Sequence, residues 1–229
     1  MTTPSKAVVA VIGGTGEQGS GLALRLAKAG YAVVIGSRDA AKGERTCDTL
    51  AASASVPRER LSHGPYREAA ARADIVVLTV PYAAQRTAAE EILPVLNGRI
   101  VVDATVPLKP PKVSRVQLPA VGSAVLELQG LLGDQARLVS AFQNVSAKHL
   151  LDLDHTLDCD VLVAGDDADA REAVVQLAAD IGLTAWHAGP LCNSAAAEAL
   201  TSVLIAINMR YKVPGAGIRI TGMAAAGPR

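Results

Sequence analysis

A glycine-rich turn after the first apolar segment has the spacing that points most directly to chemistry. Gly14, Gly16 and Gly19 keep the G-x-G-x-x-G spacing, and an Ala- and Leu-rich stretch follows at once. Glycines at such a turn permit a tight bend and close approach of the backbone to a pyrophosphate. The N-terminus of the next helix then offers free N–H groups to the phosphates. Placed between a strand and a helix, the turn predicts a dinucleotide site.

The end of the second apolar segment indicates which dinucleotide binds. An acidic residue there would bond the ribose 2′-hydroxyl of NAD, whereas a 2′-phosphate calls for cationic and hydroxyl donors. The sequence reads Gly36-Ser37-Arg38, with Lys42 one turn into the next helix. Ser37 can donate a hydrogen bond, and Arg38 can stack on adenine while it pairs with the phosphate. The pattern favours NADP over NAD. The alternative is that Arg38 and Lys42 are ordinary surface charges.

The elements that must position these residues alternate between apolar, β-branched runs and helical stretches. That alternation predicts an α/β fold: a Rossmann-type, doubly wound, mostly parallel sheet of seven or eight strands. Nearly continuous apolar runs are typical of strands buried on both faces. The predicted strands include AVVAVIG at 7–13, YAVVIGS at 31–37, ADIVVLTVP at 73–81, GRIVVDATVP at 98–107, RLVSAF at 137–142, CDVLVAG at 159–165 and LTAWHA at 183–188.

The character of the sequence changes near residue 189. We expect a dinucleotide-binding Rossmann domain over residues 1–188 and a small C-terminal helical segment over 189–229 that closes the site. The Pro-rich segment 106–122 is expected to be a loop beside the sheet. Within the last helix, an apolar stripe should pack on the first domain or on a second subunit, which favours a homodimer. The stripe comprises Leu200, Val203, Leu204, Ile207 and Tyr211. The end of the tail is expected to be loose.

The amino-acid composition limits the kinds of binding partner that we expect. Acidic and basic residues balance at 22 each, so no basic field is available for nucleic acid, and we expect small-molecule partners. We identify neither a secretion signal nor an apolar run approaching the roughly 18 residues of a membrane span, so no membrane association and a cytoplasmic location are expected. Cys47, Cys159 and Cys192 contain no CxxC pair and are interpreted as reduced thiols.

Beyond the glycine turn, the sequence resembles the F(420)-dependent NADP reductase family, whose members pass a hydride between NADP and an 8-hydroxy-5-deazaflavin coenzyme, F(420). The resemblance covers nearly the whole chain. Its most specific part is the AGPLxNS segment that leads into an apolar helix. It rests on GGTGEQGSGLALRLAKAGYAVVIGSR at 13–38, LTVP at 78–81, SAFQNVSA at 140–147 and HAGPLCNSAAAEALTSVLIAIN at 187–208.

The resemblance also implies where the two coenzymes bind. Thr15, Gly16, Glu17 and Gln18 would line the pyrophosphate, and Ser37, Arg38 and Lys42 would hold the 2′-phosphate. Thr79, Val80 and Pro81, after a central strand, would pass beside the nicotinamide. The loop Gln143-Asn144-Val145-Ser146-Ala147 would lie under the deazaflavin ring, with Leu191 and Gly217-Ile218 closing the pocket. At Gln143 this chain departs from the family, whose members carry His there, so a different acceptor is a second hypothesis.

Hydride transfer between two planar rings requires stacking and exclusion of water, and little acid or base work by the protein. No catalytic nucleophile or metal site is therefore predicted. The side-chain amides of Gln143 and Asn144 could bond the pyrimidine edge of a deazaflavin, or could serve only to fix their loop. His149 and His155 are interpreted as surface residues. His187 could line the site, but this is the less favoured interpretation, and Cys192 is interpreted as a buried, unreactive thiol. The acidic residues Asp152, Asp154, Asp158 and Asp160 are interpreted as a solvated turn.

Three functions remain open at this point. The first is hydride transfer between NADP(H) and F(420). The second is NADPH-dependent reduction of a small carbonyl or imine compound, and the third is a non-catalytic NADP-binding sensor. An anionic coenzyme tail would need cationic side chains at the entrance of its pocket. Two basic clusters could supply them, although ordinary surface charge explains both clusters equally well. These are Lys109, Lys112 and Arg115, or Arg210, Lys212 and Arg219.

Overall fold

One eight-stranded sheet organises the chain. A computed structural model describes residues 6–54 and 56–222, and its strands lie in the order β3-β2-β1-β4-β5-β6-β7-β8 when numbered along the chain. All neighbouring pairs are parallel except β6 and β7. The strands are β1 (Val8–Ile12), β2 (Ala32–Gly36), β3 (Leu61–Gly64), β4 (Ile75–Leu78), β5 (Arg99–Asp103), β6 (Ala136–Ser140), β7 (Asp160–Gly165) and β8 (Thr184–His187). The predicted Rossmann-type sheet of seven or eight strands is confirmed.

Helices cover both faces of this sheet. They are α1 (Glu17–Lys28), α2 (Ala40–Ala54), α3 (Tyr66–Ala71), α4 (Tyr82–Ile92), α5 (Ala124–Leu132), α6 (Ala147–Leu151), α7 (Ala168–Asp180) and α8 (Ser194–Tyr211). Two apolar clusters result, one on each face. Alternate residues of β1 divide between them: Val9 and Val11 belong to one cluster, Ala10 and Ile12 to the other. Burial on both faces explains why the central strands are apolar at nearly every position.

The reversal between β6 and β7 brings the end of the chain to the functional edge of the sheet. Strands β1, β2, β4, β5 and β6 all end at one edge, where ligands of such sheets gather. Because β7 is antiparallel to β6, its first residue, Asp160, lies beyond the end of β6 at this same edge. Asp160 N donates to Ile218 O at 2.8 Å, which holds the C-terminal segment there.

Two strand predictions need correction. The predicted strand over 137–142 ends at Ser140, because Phe142 adopts φ +72°, a left-handed backbone that turns the chain out of the sheet. Strand β3 was missed, because its sequence Leu-Ser-His-Gly has two polar central residues. It pairs only with β2 in the described sheet, and an edge strand needs no continuous apolar run. The Pro-rich loop between β5 and α5 is confirmed.

The last helix packs through a different face from the predicted stripe. Val203 and Tyr211 are 44% and 71% exposed, and only Leu204 of the predicted five is fully buried. The residues of α8 that are buried on the domain are mostly small or polar: Ser194, Ala197, Glu198, Ser202 and Leu204. The first alternative for the stripe, packing on the first domain, was therefore wrong. The predicted loose tail end includes 223–229, which lie outside the described residues.

By length and mean hydropathy alone, the segment Leu191–Tyr211 would be long enough to cross a membrane, contrary to the sequence expectation. Its contacts are those of a helix docked on a domain, however. The carboxylate of Glu198 accepts hydrogen bonds from the backbone of α5, and Ala197 O accepts one from the Asn144 amide.

Candidate active site

The glycine turn between β1 and α1 has the geometry of a phosphate cradle. A Cβ on Gly14 would lie 2.8 Å from Val11 O, and one on Gly19 would lie 2.7 Å from Gly13 O, so neither position accepts a larger residue without backbone movement. Gly16 precedes the first turn of α1, and no side chain caps that turn. The first-turn N–H groups are therefore available to an anion, together with the positive end of the helix dipole.

The predicted 2′-phosphate residues lie together at the end of β2. The Ser37 hydroxyl donates to Asp39 O at 2.8 Å, and the Asp39 carboxylate accepts from Lys42 N at 2.9 Å, so the turn into α2 is fixed by its own side chains. The Arg38 side chain extends from this turn at an exposed position. Lys42 shares an open groove with Thr15 of the glycine turn. The structure thus brings Thr15 and Lys42 to one surface.

The segment after β4 lies against the glycine turn. Thr79 Oγ1 donates to Ile12 O at 2.9 Å. Val80 is buried, and a Cβ on Gly13 would lie 2.9 Å from it. Pro81 immediately precedes α4. These contacts put the three predicted nicotinamide residues beside the cradle, at the carboxyl edge of the central strands.

A single side-chain bond joins the cradle to the loop after β6. Gln18, in the first turn of α1, donates from Nε2 to Phe142 O at 2.8 Å. Its amide is directed at this loop, although the residue was predicted to line the pyrophosphate. The next residue, Gln143, donates from Nε2 to Asp103 O and Ser140 Oγ, both at 2.8 Å. Its Oε1 is buried and has no partner among the described residues.

The second amide of the loop is used to dock α8. Asn144 Nδ2 donates to Ala197 O at 2.8 Å and to Thr201 Oγ1 at 2.9 Å. Thr201 Oγ1 donates in turn to Gln143 O at 3.0 Å. The NH₂ groups of both loop amides are thus occupied by protein acceptors, which favours the alternative that they fix the loop.

Two adjoining cavities open beside this loop. One, of about 130 Å³, lies between Asn144 and α8, and the other, of about 200 Å³, lies between Ser146 and the start of β7. The segment Gly215–Gly217 contributes to both cavities. Gly215 and Ala216 line the first, and all three residues line the second. A Cβ on Gly215 would lie 2.6 Å from Ser146 Oγ, so the tail rests directly on the loop.

The other predicted residues differ in their position relative to the cavities. Val145 and Ser146 line both cavities, and Ala147 begins α6. Ile218 supplies the backbone oxygen that binds Asp160 N. Leu191 is buried in the apolar cluster with β4, α4 and α5, and it lines neither cavity.

Two buried carboxyl groups near this edge were missed by sequence reasoning. Asp103 ends β5, and burial raises its pKa to about 6 despite hydrogen bonds from Thr105 and Gln85. Glu198 accepts from Ala124 N at 2.6 Å and Val125 N at 3.2 Å, and burial raises its pKa to about 8 against these bonds. A charged residue inside an otherwise apolar, Ala-rich helix was the signal that could have found Glu198.

Several interpretations of single residues change. Cys192, interpreted as buried, is exposed, because it lies in the short turn Leu191–Asn193 before α8. Asp160 is buried, accepting from Trp186 Nε1 and Ile220 N, so it is no part of a solvated turn. His187 pairs with Glu172 on the surface at 3.0 Å. His149 and His155 are stacked on each other rather than separately solvated. In the part of the chain that the structure describes, no three His, Cys, Asp or Glu side chains converge on a possible metal position.

Comparison with known proteins agrees with this arrangement. A family model described as NADP oxidoreductase, coenzyme F(420)-dependent, matches residues 8–107, which run from β1 through the segment after β5. The F(420)-dependent NADP reductase of Methanothermobacter thermautotrophicus is 41% identical over 224 residues, covering 94% of this chain and 95% of the relative. The chain belongs to the F(420)-dependent NADP reductase family.

Other members of the F(420)-dependent NADP reductase family extend the match. The reductase of Methanocaldococcus jannaschii is 38% identical over 94% of this chain and 98% of its own length. A solved structure of a candidate reductase from Arthrobacter sp. FB24 has a TM-score of 0.78 at 23% identity, covering 94% of this chain and all of that one, which shows the shared fold. The family predicted from the sequence motifs is confirmed.

Proposed function

We propose that this chain is an NADP-dependent oxidoreductase that transfers a hydride between NADP(H) and the deazaflavin coenzyme F(420). The observation that carries the proposal is the Gln18–Phe142 hydrogen bond, because it joins the dinucleotide cradle to the loop that borders the two cavities. Family membership supports the same pair of coenzymes, since the relatives named above are F(420)-dependent NADP reductases.

NADP is assigned to the cradle and the turn after β2. The uncapped first turn of α1 fits a pyrophosphate, which Gly14, Gly16 and Gly19 allow to approach closely. Thr15 and Glu17 border the phosphates. The 2′-phosphate is bound by Ser37, Arg38 and Lys42, and Thr79, Val80 and Pro81 contact the nicotinamide. We assign residues 1–188 to the dinucleotide-binding domain and 189–229 to the segment that closes its site.

The deazaflavin is assigned to the cavities between the loop after β6 and the C-terminal segment. Val145 and Ser146 line both of them. We assign Gly217, which borders the second cavity, and its neighbour Ile218 to the outer wall. Gln143, which stands where the family carries His, lines the first cavity. Bound there, a deazaflavin would supply a ring carbon that accepts or gives a hydride.

The residues of the chain act by positioning. The bonded pair Gln18 and Phe142 links the two assigned coenzyme pockets, and the buried side chains of Val80 and Val145 contribute apolar surface, one to each pocket. Such alignment is a large part of what hydride transfer needs from a protein. No acid, base or nucleophile is assigned.

The deciding experiment follows the deazaflavin absorbance after mixing purified protein with oxidised F(420) and NADPH, with NADH as the matched control. Rapid bleaching with NADPH and little with NADH is the expected result. Tight NADPH binding without bleaching would overturn the proposal. Turnover with a small imine or carbonyl compound would then identify a small-molecule reductase, and its absence would identify a sensor.

We further infer that the protein is a cytoplasmic homodimer acting on small molecules, without nucleic acid or membrane partners. The exposed apolar side chains of α8 support the dimer, because Val203, Met209 and Tyr211 are 44%, 69% and 71% exposed. A second copy would bury part of this apolar surface. Sedimentation should give twice the chain mass at micromolar concentration, and Met209→Glu should give the monomer. A monomeric wild type would refute the dimer.

A further inference from the structure

The stacked histidines His149 and His155 are unused by the function proposed above. Their ring centroids are 3.9 Å apart, with the planes inclined by 28°. Both residues line the 200 Å³ cavity that Ser146 and Gly215–Gly217 also border. A titratable pair thus forms part of the wall of the pocket assigned to the deazaflavin.

The backbone that carries the pair is fixed by one arginine. Arg25, on α1, donates to the carbonyl oxygens of His149 at 2.8 Å and His155 at 3.1 Å. It also donates to Leu150 O at 2.9 Å and Asp152 O at 2.6 Å. A guanidinium has five donors in a rigid fork, so four carbonyls on one turn define the path of that turn closely. The positions of the two rings are therefore set in advance of ligand binding.

The surroundings of His149 disfavour its charged form. Burial lowers the pKa of His149, and the neighbouring His155 and Arg25 lower it further, while Asp152 opposes them. The other ionisable groups that face the cavity are Asp158 and Cys159. Asp158 is paired with Arg219 at 2.9 Å. Two stacked imidazoles repel each other when both are protonated, so the pair accommodates one proton, which an anionic ligand would stabilise.

We propose that His149 and His155 bind an anionic oxygen of the deazaflavin coenzyme and determine its affinity. This inference rests on the proposed function. The oxygen has two sources of the same chemistry: the ionised 8-hydroxyl of the ring, or the phosphate of the anionic tail. One ring, protonated, donates a charge-assisted hydrogen bond to it, and the other donates from its neutral N–H.

The test compares His149→Gln and His155→Gln with wild type in the NADPH-dependent bleaching assay. His187→Gln is the matched control, because His187 is an exposed histidine at the end of β8 that pairs with Glu172 and does not line the cavity. The acceptor is either intact F(420) or its tail-less chromophore, which keeps the 8-hydroxyl and lacks the phosphate. We expect about a ten-fold rise in the apparent KM for intact F(420) in both pocket variants, with the KM for NADPH unchanged.

The two acceptors distinguish the sources. An equal rise with the tail-less chromophore assigns the pair to the ring hydroxyl, and a rise confined to intact F(420) assigns it to the phosphate. In wild type the KM for F(420) should also rise with pH as His149 loses its proton. A variant lacking the histidines should lose that part of the profile, which a purely structural role would not cause.

Failure of this inference is separable from failure of the proposed function. Wild-type bleaching with KM values that are unchanged in both pocket variants would overturn the histidine subsite and leave the hydride transfer standing. Absence of bleaching by wild type would overturn both. If His149→Gln lowers the melting temperature, His155→Gln still decides the question, because its ring lies on the turn beyond α6.

Discussion

Gln18 and Phe142 are 124 residues apart in sequence, yet the side-chain amide of one donates to the carbonyl oxygen of the other at 2.8 Å. The bond connects the first turn of α1 to the loop after β6. The bond offsets part of the conformational cost of Phe142, because a bulky residue at φ +72° lies in a backbone region that costs about 1–3 kcal/mol. One polar contact thus holds a strained turn against the glycine cradle.

Replacing Gln18 with Leu should lower kcat for hydride transfer about ten-fold, with a smaller change in the KM for NADPH. The reason is that the loop after β6 loses its link to the cradle while the backbone N–H groups that bind phosphate remain. Ser20→Ala is the control, because the Ser20 hydroxyl bonds only Gly16 O and Glu17 O within its own turn. Equal losses in both variants would contradict a positioning role for Gln18.

Arg38→Ala should raise the KM for NADPH steeply and leave that for NADH nearly unchanged, because NADH lacks the 2′-phosphate to which the guanidinium is assigned. Steady-state kinetics with each nucleotide measure the ratio. Arg67→Ala, which removes an exposed arginine on α3, serves as the charge-matched control. A similar effect on both nucleotides would remove the assignment of Arg38 to the 2′-phosphate.

Gly19→Ala should lower stability and abolish NADPH binding together. The added Cβ would lie 2.5 Å from Thr79 Oγ1, 2.7 Å from Gly13 O and 2.8 Å from Gly14 Cα, so the cradle must shift. Gly130→Ala, in α5, adds the same atom where nothing lies within 4 Å. It should stabilise the protein by about 0.5–1 kcal/mol through helix propensity. Urea unfolding and NADPH titration of both variants check the contrast.

Glu198 should make stability fall as pH rises. Its pKa is about 8 in the folded state and near 4.5 when unfolded. Between these values the folded protein holds a proton that the unfolded chain has lost, and the free energy of unfolding falls by up to about 1.4 kcal/mol per pH unit. Asp103 adds a fall that ends near pH 6, so the window from pH 6 to 8 belongs to Glu198.

Urea unfolding at pH 6 and pH 8 measures this slope, and Glu198→Gln should flatten it. The variant cannot ionise, and one amide oxygen still accepts from the N-terminus of α5. Glu127→Gln is the control, since Glu127 is a carboxyl group on α5 that is bonded to the Tyr82 hydroxyl at the surface. A slope that persists in Glu198→Gln would show that its carboxyl group is ionised throughout the range.

The sequence predicted the parts of this fold that local patterns determine. The glycine turn and the Ser37-Arg38 pair are short motifs whose geometry follows from a few neighbouring residues, and the buried parallel strands are continuous apolar runs. The turn at Phe142 could not be predicted in this way. The apolar pattern continues through Ala141 and Phe142, but the strand ends at Ser140 because Phe142 adopts a left-handed backbone, whose carbonyl oxygen accepts from the distant Gln18.

The face of α8 that packs on the domain could not be predicted from the sequence for a related reason. Hydrophobic periodicity assigned the contact to Val203 and Tyr211, whereas the buried face carries Ala197, Glu198 and Ser202. Small residues allow close approach to the domain, and Glu198 is tolerated because two backbone N–H groups of α5 meet it. Such compensation depends on a partner more than seventy residues away, which local spacing does not reveal.

The Asp160 carboxylate has a practical consequence for observing the C-terminal segment. Its Oδ2 accepts from Trp186 Nε1 at 2.8 Å and from Ile220 N at 2.7 Å. Trp186 is the single tryptophan of the chain. If the tail moves when a coenzyme enters, the indole loses or gains a share of that oxygen, and its emission changes. The protein therefore carries its own fluorescent reporter of tail position, with no label to introduce.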